Sequence, residues 1–409
     1  MLKKLISNKI FWIFLVSHIF LLNVNYAEWG DTYRILRASE FIRNIDYPKD
    51  EKRPPLFSAA LAIRPEGVEQ ISWGRGEMLF FSLASFVIFF LLMEEFDISD
   101  RAKEYALLLF TFNPVFLYWS LRIYADVPFT ALVLLFFYLL KRWKTSQEMK
   151  YIYLLGVIAG LAILTRFEGY ILAVSLGLLI LTDNEVKKRL PNLLKYGLTI
   201  LIFILPWLVY RNPLQSKYLS EPAGRSYELT MVQILFTSLL YVFGFTSSSY
   251  FFSRKFNILK QYFRENKAMA YFIGIELLLI LLWPAAIPRL FVPIIPLLIV
   301  PLSLAIDEYF SENKENVLFD LALLGGLLFF YLLAQYWLRL QFLILIKPLL
   351  FAAITIQFVN LGSIFYRNEK LFKFSLTLSL IIWSLASIWL HKDIFKAVVD
   401  ANLYITNNL

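Results

Sequence analysis

The chain contains no cysteine among its 409 residues and only two histidines, His18 and His391. Without cysteine there can be no disulfide and no thiolate metal site. Because both histidines lie in or beside apolar runs, a histidine base or a multi-histidine metal site is disfavoured. Charged residues are also scarce, at 17%, whereas ordinary soluble domains have about a quarter. These shortages favour a protein that meets little water.

Apolar residues take the place of the missing charge, with 59% of the chain hydrophobic and 18% aromatic. The apolar runs are long enough to cross a hydrocarbon core of about 30 Å, and helices satisfy their own backbone groups in lipid. We therefore predict an all-α integral membrane protein with about 11–13 transmembrane helices. The predicted spans are 10–26, 78–93, 105–121, 127–140, 151–165, 168–182, 196–210, 231–247, 268–283, 289–306, 317–338, 342–361 and 371–390.

Lysine and arginine are concentrated in alternate connections between these spans. The rich connections include Lys141 to Lys150, Lys187 to Lys195 and Arg254 to Lys267, whereas the opposite short ones carry mostly single basic residues. Since cytoplasmic loops carry the excess of basic residues, the connection after the first span is predicted to be extracytoplasmic. The net charge of +9 then reflects orientation in a cell membrane rather than a nucleic-acid partner, because nucleic-acid-binding proteins show a clustered basic stripe.

The N-terminus has a second interpretation, as a signal peptide. It has a basic start, an apolar core and a possible cleavage site at Asn25-Tyr26-Ala27. A first span that leads into many others is the commoner arrangement. Both interpretations place the following residues outside.

The outer loop from about residue 25 to 77 is the longest connection in the chain. Residues 32–44 have helical spacing and are predicted to form an amphipathic helix on the membrane surface. After Pro54-Pro55, the apolar stretch 56–63 is too short to span. Loops beyond about fifteen residues tend to be functional or disordered, and the aromatic and apolar anchors of this loop favour function.

Charged residues gather on this predicted outer face. They are Asp31, the segment Arg122-Ile123-Tyr124-Ala125-Asp126, the segment Thr165-Arg166-Phe167-Glu168-Gly169, the loop from Arg211 to Glu228, and Arg289. Charge at a membrane surface beside apolar spans usually faces a cavity or a partner. Arginine binds phosphate oxygens bidentately, and a carboxylate can accept a proton from an attacking hydroxyl. The combination suits a phosphate-bearing lipid substrate.

Several of these segments together resemble a known superfamily. They are Asp31 with Tyr33, the Tyr47-Pro48 to Pro54-Pro55-Leu56 stretch, Asn113-Pro114 with Tyr124 to Pro128, Leu164 to Gly169, Pro206 to Pro213, and Arg289 to Pro296. In order and spacing they look like GT-C glycosyltransferases. The nearest branch uses polyprenyl-phosphate-linked sugars and includes protein mannosyltransferases and lipid A aminoarabinose transferases. The resemblance covers residues 1–306, and residues 307–409 show only further spans.

The resemblance implies an inverting transfer of mannose or another hexose-like sugar at the outer membrane surface. The donor would be a sugar on a polyprenyl phosphate, and the acceptor a lipid, a glycan or a protein. The superfamily's acidic residue in the first outer loop maps onto Asp31, as general base or as the group that orients the acceptor, and its second acidic site maps onto Asp126. Candidates for contacting the substrates are Tyr33, Arg122, Tyr124, Arg166, Glu168, Arg211, Arg225 and Arg289. No cofactor is implied. The superfamily often has adjacent acids in the first loop, whereas Asp31 is followed by Thr32, so a divalent metal is not favoured.

Each candidate also has a structural interpretation. Asp31 could cap the helix predicted at 32–44, and Asp126 precedes Val127-Pro128, a pattern typical of a helix start. Arg122 and Arg166 could extend to lipid headgroups, and Glu168 could pair with Arg166. The competing functions are a flippase or transporter of lipid-linked saccharides and a purely structural membrane subunit. A flippase should place ionisable residues deep inside spans and often shows internal repeats, and no repeat is evident here.

Overall fold

In a computed structural model of the chain, every regular element among the described residues is helical. The structure describes residues 2–25, 28, 30–51, 53–184, 186–210, 248–283, 287–311, 359–385 and 388. The predicted span 231–247 lies outside these residues, as do all of 317–338 and most of 342–361.

The first eleven helices are α1 Leu2–Ser7, α2 Lys9–Leu21, α3 Gly30–Arg43, α4 Leu56–Ala62, α5 Gln70–Glu94, α6 Asp100–Thr111, α7 Pro114–Ser120, α8 Asp126–Ser146, α9 Met149–Thr165, α10 Gly169–Thr182 and α11 Arg189–Tyr210. They are followed by α12 Ser248–Arg254, α13 Phe256–Glu265, α14 Lys267–Leu282, the 3-10 turn Pro288–Phe291 and α15 Ile295–Ser311. Residues 359–365 and 369–385 are also helical.

The helices agree with most of the spans predicted from apolar runs. Two described helices, α5 and α11, are both long and apolar enough to cross a membrane, and α2, α9 and α10 are shorter apolar helices. The positions of α8, α9, α10 and α14 match the predicted spans to within a few residues, except that α8 extends to Ser146. The total number of spans stays a prediction.

One predicted span, residues 105–121, is wrong as a single helix, because the chain breaks at Asn113. The side-chain oxygen of Asn113 accepts hydrogen bonds from the backbone N–H groups of Val115 and Phe116, at 3.1 and 2.9 Å. Pro114 follows at the first position of α7, where its missing N–H is not needed. The break ends α6 and turns α7 toward the loop that carries Tyr124.

The outer loop folds as its pattern predicts, into two helices with no span between them. α3 covers Gly30–Arg43 and α4 covers Leu56–Ala62. The two helices pack on each other, and α4 also packs on α5 and α9. The loop is therefore seated on the helical bundle, which fixes the position of its charged residues.

Close packing between α9 and α11 depends on two glycines. A methyl group at Gly156 would lie 2.7 Å from Cβ of Thr199, and one at Gly160 would lie 2.8 Å from Cβ of Phe203. Small residues allow helices in lipid to approach closely. Further packing joins α5 to α8, α8 to α9 and α10 to α14, and these contacts bring the ends of α8, α9 and α10 together.

Candidate active site

The start of the outer loop is held to the connection between α7 and α8 by buried polar contacts. Asn25 Nδ2 donates to the carbonyl of Leu121 at 2.8 Å, and Thr32 Oγ1 donates to the carbonyl of Ile123 at 3.1 Å. Glu28, which is fully buried, accepts from Arg75 Nε of α5 at 3.0 Å. Since buried polar groups are costly unless paired, these contacts fix the register of the two segments. We refer to Asn25, Glu28, Thr32 and Arg75 as the inter-loop clamp.

The inter-loop clamp places Asp31 next to Arg53 and Arg289, at the exposed end of a cluster of charged side chains. Asp31 Oδ1 lies 2.7 Å from Arg53 Nη2, and Oδ2 lies 3.8 Å from Arg289 Nη1. The Asp31 side chain remains 41% exposed. Although Asp31 lies in the first turn of α3, its carboxylate faces these two guanidiniums. The capping interpretation therefore does not account for its position.

The two arginines keep Asp31 ionised. Burial acts to raise the pKa of this carboxyl, but the charges of Arg53 and Arg289 outweigh it, and the pKa lies below its ordinary value. Asp31 is therefore a carboxylate with water access and two cations beside it.

Arg53 was not among the residues that the sequence singled out. It is held by Glu51, whose Oε1 accepts from Arg53 Nη1 at 3.0 Å, and Tyr47 donates its hydroxyl to the carbonyl of Arg53 at 2.9 Å. Its position directly before Pro54-Pro55 could have pointed to it, because the stretch from Tyr47 to Leu56 is one of the segments that resemble GT-C glycosyltransferases.

Asp126 and Glu168 share one guanidinium deeper in the cluster. Asp126, the first residue of α8, has a fully buried side chain and accepts a hydrogen bond from Arg166 Nη1. Arg166 also binds Glu168 through two nitrogens, with Nε donating to Oε2 at 3.2 Å. The second oxygen of Asp126, Oδ2, is buried and has no hydrogen-bond partner in the structure.

Gly169 sets the geometry of the turn that carries Arg166 and Glu168. A methyl group on Gly169 would lie 2.3 Å from the backbone nitrogen of Ile163 and 2.4 Å from the carbonyl carbon of Ala162. Any larger residue would push α10 away from the end of α9. Residue 169 is therefore glycine because no side chain fits between the start of α10 and the end of α9.

Arg289 lies between the two acidic positions. Its Nη1 is 3.8 Å from Asp31 Oδ2 and its Nε is 3.8 Å from Asp126 Oδ1, and both distances are beyond hydrogen-bond range. The guanidinium carbon stands 4.8 Å from the ring centre of Tyr124 and 5.5 Å from that of Trp119. Arg289 is thus placed by aromatic rings and charge rather than by hydrogen bonds to either carboxylate.

A further buried acid, Glu276, reaches the cluster from α14. Its side chain is 3% exposed and interacts electrostatically with Glu168, Arg166 and Asp126. Within the described part of the chain, its Oε2 has no hydrogen-bond partner. Sequence reasoning missed Glu276, although an acid within the apolar run 268–283 was a visible signal, since ionisable residues inside spans usually have a function.

Comparison with known proteins gives the class of this fold. The sequence profile of the family described as dolichyl-phosphate-mannose-protein mannosyltransferase matches residues 52–210. The structure resembles that of ArnT from Cupriavidus metallidurans in the apo state, with a TM-score of 0.65 at 13% identity, over 95% of this chain and 77% of ArnT. The chain has the fold of GT-C glycosyltransferases.

Other solved structures support the same fold. ArnT bound to undecaprenyl phosphate matches at 14% identity with a TM-score of 0.65, again over 95% of this chain and 77% of ArnT. Arabinosyltransferase EmbB from Mycobacterium smegmatis matches at 12% identity with a TM-score of 0.57, over 94% of this chain and 41% of EmbB. No protein with a curated function matches the chain in sequence. The predicted all-helical GT-C fold is confirmed.

The structure divides the residues predicted for the site into three groups. Asp31, Tyr124, Asp126, Arg166, Glu168 and Arg289 come together in the charged cluster. Tyr33 is half-buried near Glu28 and Arg75, and Arg122, 1% exposed, donates to Asn25 Oδ1 at 2.8 Å. These two residues belong with the clamp. Arg211 and Arg225 lie outside the described residues.

Proposed function

We propose that the enzyme transfers a sugar, mannose or another hexose-like residue, from a polyprenyl phosphate to a hydroxyl of a lipid, glycan or protein acceptor. The transfer inverts the anomeric centre, and Asp31 acts as general base. The observation that carries this proposal is the position of Asp31. It is the most exposed carboxylate of the cluster, at 41% against 18% for Glu168 and 0% for Asp126, and it stands beside two arginines.

Arg53 and Arg289 suit the phosphate of the donor. Both guanidiniums point at the same carboxylate, and planar guanidiniums bind phosphate oxygens in the same forked geometry. Arg289 makes no hydrogen bond to Asp31 or Asp126, so a phosphate can engage it without breaking one. Polyprenyl phosphate leaves as an anion, and cations fixed at its position stabilise the charge that develops on it. The structure of ArnT with undecaprenyl phosphate supports a carrier of this class.

Donor binding also makes Asp31 a stronger base than it is in the free protein. A carboxylate paired with two arginines is a weak base, because its pKa is low. When the donor phosphate draws Arg53 and Arg289 toward itself, Asp31 loses part of its compensating charge and becomes more basic. The acceptor oxygen then bonds to the anomeric carbon, its proton passes to Asp31, and the bond between the anomeric carbon and the phosphate oxygen breaks.

The deep end of the cluster provides acceptors for the sugar. Among the described residues, Asp126 Oδ2 and Glu276 Oε2 are buried and have no hydrogen-bond partner, and Arg166 holds Asp126 and Glu168 in place. Carboxyl oxygens accept hydrogen bonds, and sugar hydroxyls can donate them. We assign the sugar to this end and the phosphate to the Arg53 and Arg289 end.

The flippase alternative finds one supporting feature in Glu276, an ionisable residue within a span. However, Glu276 interacts with the same cluster as Asp126 and Glu168, which is the arrangement of one site rather than of a translocation path.

The central test replaces Asp31 with asparagine. Removing a general base should lower kcat by about 10² to 10⁴-fold, measured as sugar transfer from radiolabelled polyprenyl-phosphate sugars by purified protein. Asp50→Asn is the matched control, because Asp50 is an exposed carboxylate of the same loop that pairs with Arg37. Near-normal transfer by the Asp31→Asn protein would show that Asp31 is not the general base.

The pH dependence tests how the arginines control Asp31. In the free enzyme the base form is present above the depressed pKa and is lost as the pH falls through it. The acidic limb of kcat/KM, which reports the free enzyme, should lie at lower pH than the limb of kcat, which reports the complex with donor. Arg53→Gln should move the limb of kcat/KM to higher pH, because one of the opposing cations is gone. If the acidic limb of kcat/KM stays at the same pH in the Arg53→Gln protein, Arg53 does not control the ionisation of Asp31.

The sugar subsite is tested at Glu276. Replacing Glu276 with glutamine exchanges a carboxyl oxygen for an amide group of the same size, and the loss of one hydrogen bond, about 0.5–1.5 kcal/mol, should raise the donor KM by roughly 2 to 10-fold. Glu94→Gln is the control. Glu94 ends α5, at the other end of that helix from Arg75 of the inter-loop clamp, and it pairs with Lys4 and Lys103. A donor KM equal to that of the control would exclude Glu276 from the site.

The sidedness of the site is tested with single cysteines, which the native chain makes possible because it has none. A cysteine at exposed Glu66 in the outer loop should react with an impermeant thiol reagent on intact cells. A cysteine at exposed Thr145, at the end of α8, should react only after permeabilisation. The reverse pattern would invert the orientation and place the site on the cytoplasmic face.

A further inference from the structure

Arg53 has two carboxylate partners, and the two differ in their access to water. Its Nη1 donates to Glu51 Oε1 at 3.0 Å, and its Nη2 lies 2.7 Å from Asp31 Oδ1. The Asp31 side chain is 41% exposed, whereas that of Glu51 is 4% exposed. A ligand that arrives from water can therefore replace Asp31 at Nη2 without reaching Glu51. One partner of Arg53 is exchangeable, and the other is fixed.

Glu51 restrains Arg53 at both its backbone and its side chain. The same oxygen, Oε1, accepts from the backbone N–H of Arg53 and from its Nη1, each at 3.0 Å. These two hydrogen bonds close a ring that includes the whole Arg53 side chain, which limits the rotamers that the arginine can adopt. A buried carboxylate that loses its cation is strongly destabilising. Glu51 therefore retains Arg53 when a ligand binds.

The loop that carries Glu51 is itself fixed, both internally and to α11. The hydroxyl of Tyr47 donates to the carbonyl of Arg53 at 2.9 Å. The backbone N–H of Glu51 donates to the carbonyl of Pro48 at 3.1 Å. The ring of Tyr47 meets that of Trp207 on α11 edge to face, with 5.2 Å between the ring centres, and aromatic pairs in this arrangement are stabilising. The position of Arg53 therefore depends on contacts outside the charged cluster.

We propose that Glu51 is a positioning residue for phosphate binding, which fixes the Arg53 guanidinium so that Nη2 passes from Asp31 to a donor phosphate oxygen while Nη1 stays with Glu51. This proposal rests on the proposed function, in which Arg53 contacts the donor phosphate. An arginine that is already held loses less conformational entropy when its ligand binds than a free one. Glu51 does not touch the donor and acts through Arg53.

The experiment measures the Kd of undecaprenyl phosphate for the full chain in detergent, by native mass spectrometry. It compares Glu51→Gln with Glu51→Ala, because both variants remove the negative charge but only glutamine keeps a side-chain oxygen that can accept from Arg53. Glu51→Ala should bind about 2 to 10-fold more weakly than Glu51→Gln, which is the cost of immobilising one free arginine side chain. Glu40→Ala is the matched control. Glu40 pairs with Arg64 of the same loop at 2.7 Å, and its replacement should leave binding unchanged.

Tyr47→Phe provides a second variant, which keeps the ring that contacts Trp207 and loses only the hydroxyl that binds the Arg53 carbonyl. The loss of this one hydrogen bond should weaken binding of undecaprenyl phosphate by about 2 to 10-fold. Equal Kd values for Glu51→Gln and Glu51→Ala would overturn the proposal. If Glu51→Ala does not fold, an unchanged Kd in the Tyr47→Phe protein overturns it instead.

Arg53→Gln separates this proposal from the function on which it rests. This variant should weaken binding of undecaprenyl phosphate by about 10 to 100-fold, through the loss of a hydrogen bond from a charged group. If it does so while the two Glu51 variants bind equally, Arg53 contacts the phosphate but Glu51 does not position it. If Arg53→Gln binds like the wild type, the phosphate contact is wrong and the role of Glu51 is wrong with it. No sugar is transferred in this assay, so the role of Asp31 as general base is tested separately.

Discussion

The site depends on the pairing of buried charges across segments that are far apart in sequence. Asp126 has a fully buried side chain, and a buried carboxylate without a cation is strongly destabilising. Arg166 from the end of α9 and Arg289 from the turn before α15 supply those cations. The need to neutralise one acid at the start of α8 therefore brings three parts of the chain to one place, and the inter-loop clamp adds Asp31 from a fourth.

The charges of the cluster are divided unevenly along its length. The outer end has Arg53 and Arg289 facing a half-exposed Asp31, whereas the inner end has Arg166 among Asp126, Glu168 and Glu276. An anion suits the first end, and a group rich in hydrogen-bond donors suits the second. A sugar joined to a phosphate has both properties in that order. In the proposed reaction, the donor therefore lies with its phosphate at the outer end of the cluster and its sugar at the inner end.

α8 carries opposite charges at its two ends, since it begins at Asp126 and carries Lys141 and Lys144 near its other end. Its acidic first residue and basic last turn agree with the helix dipole. The helix therefore presents its N-terminus, the positive end of the dipole, to the charged cluster, where Asp126 is paired with Arg166.

The sequence alone determined the helical membrane class, the GT-C resemblance, the two short helices of the outer loop and six residues of the cluster, including Asp31 and Asp126. It could do so because hydrophobic runs, caps and charged loops are local properties. It did not show the break at Asn113, the contribution of Arg53 or that of Glu276. Nor could it show that Tyr33 and Arg122 belong with the clamp. Those outcomes depend on which side chains face each other across separate helices, and only tertiary packing decides which buried acid obtains which cation.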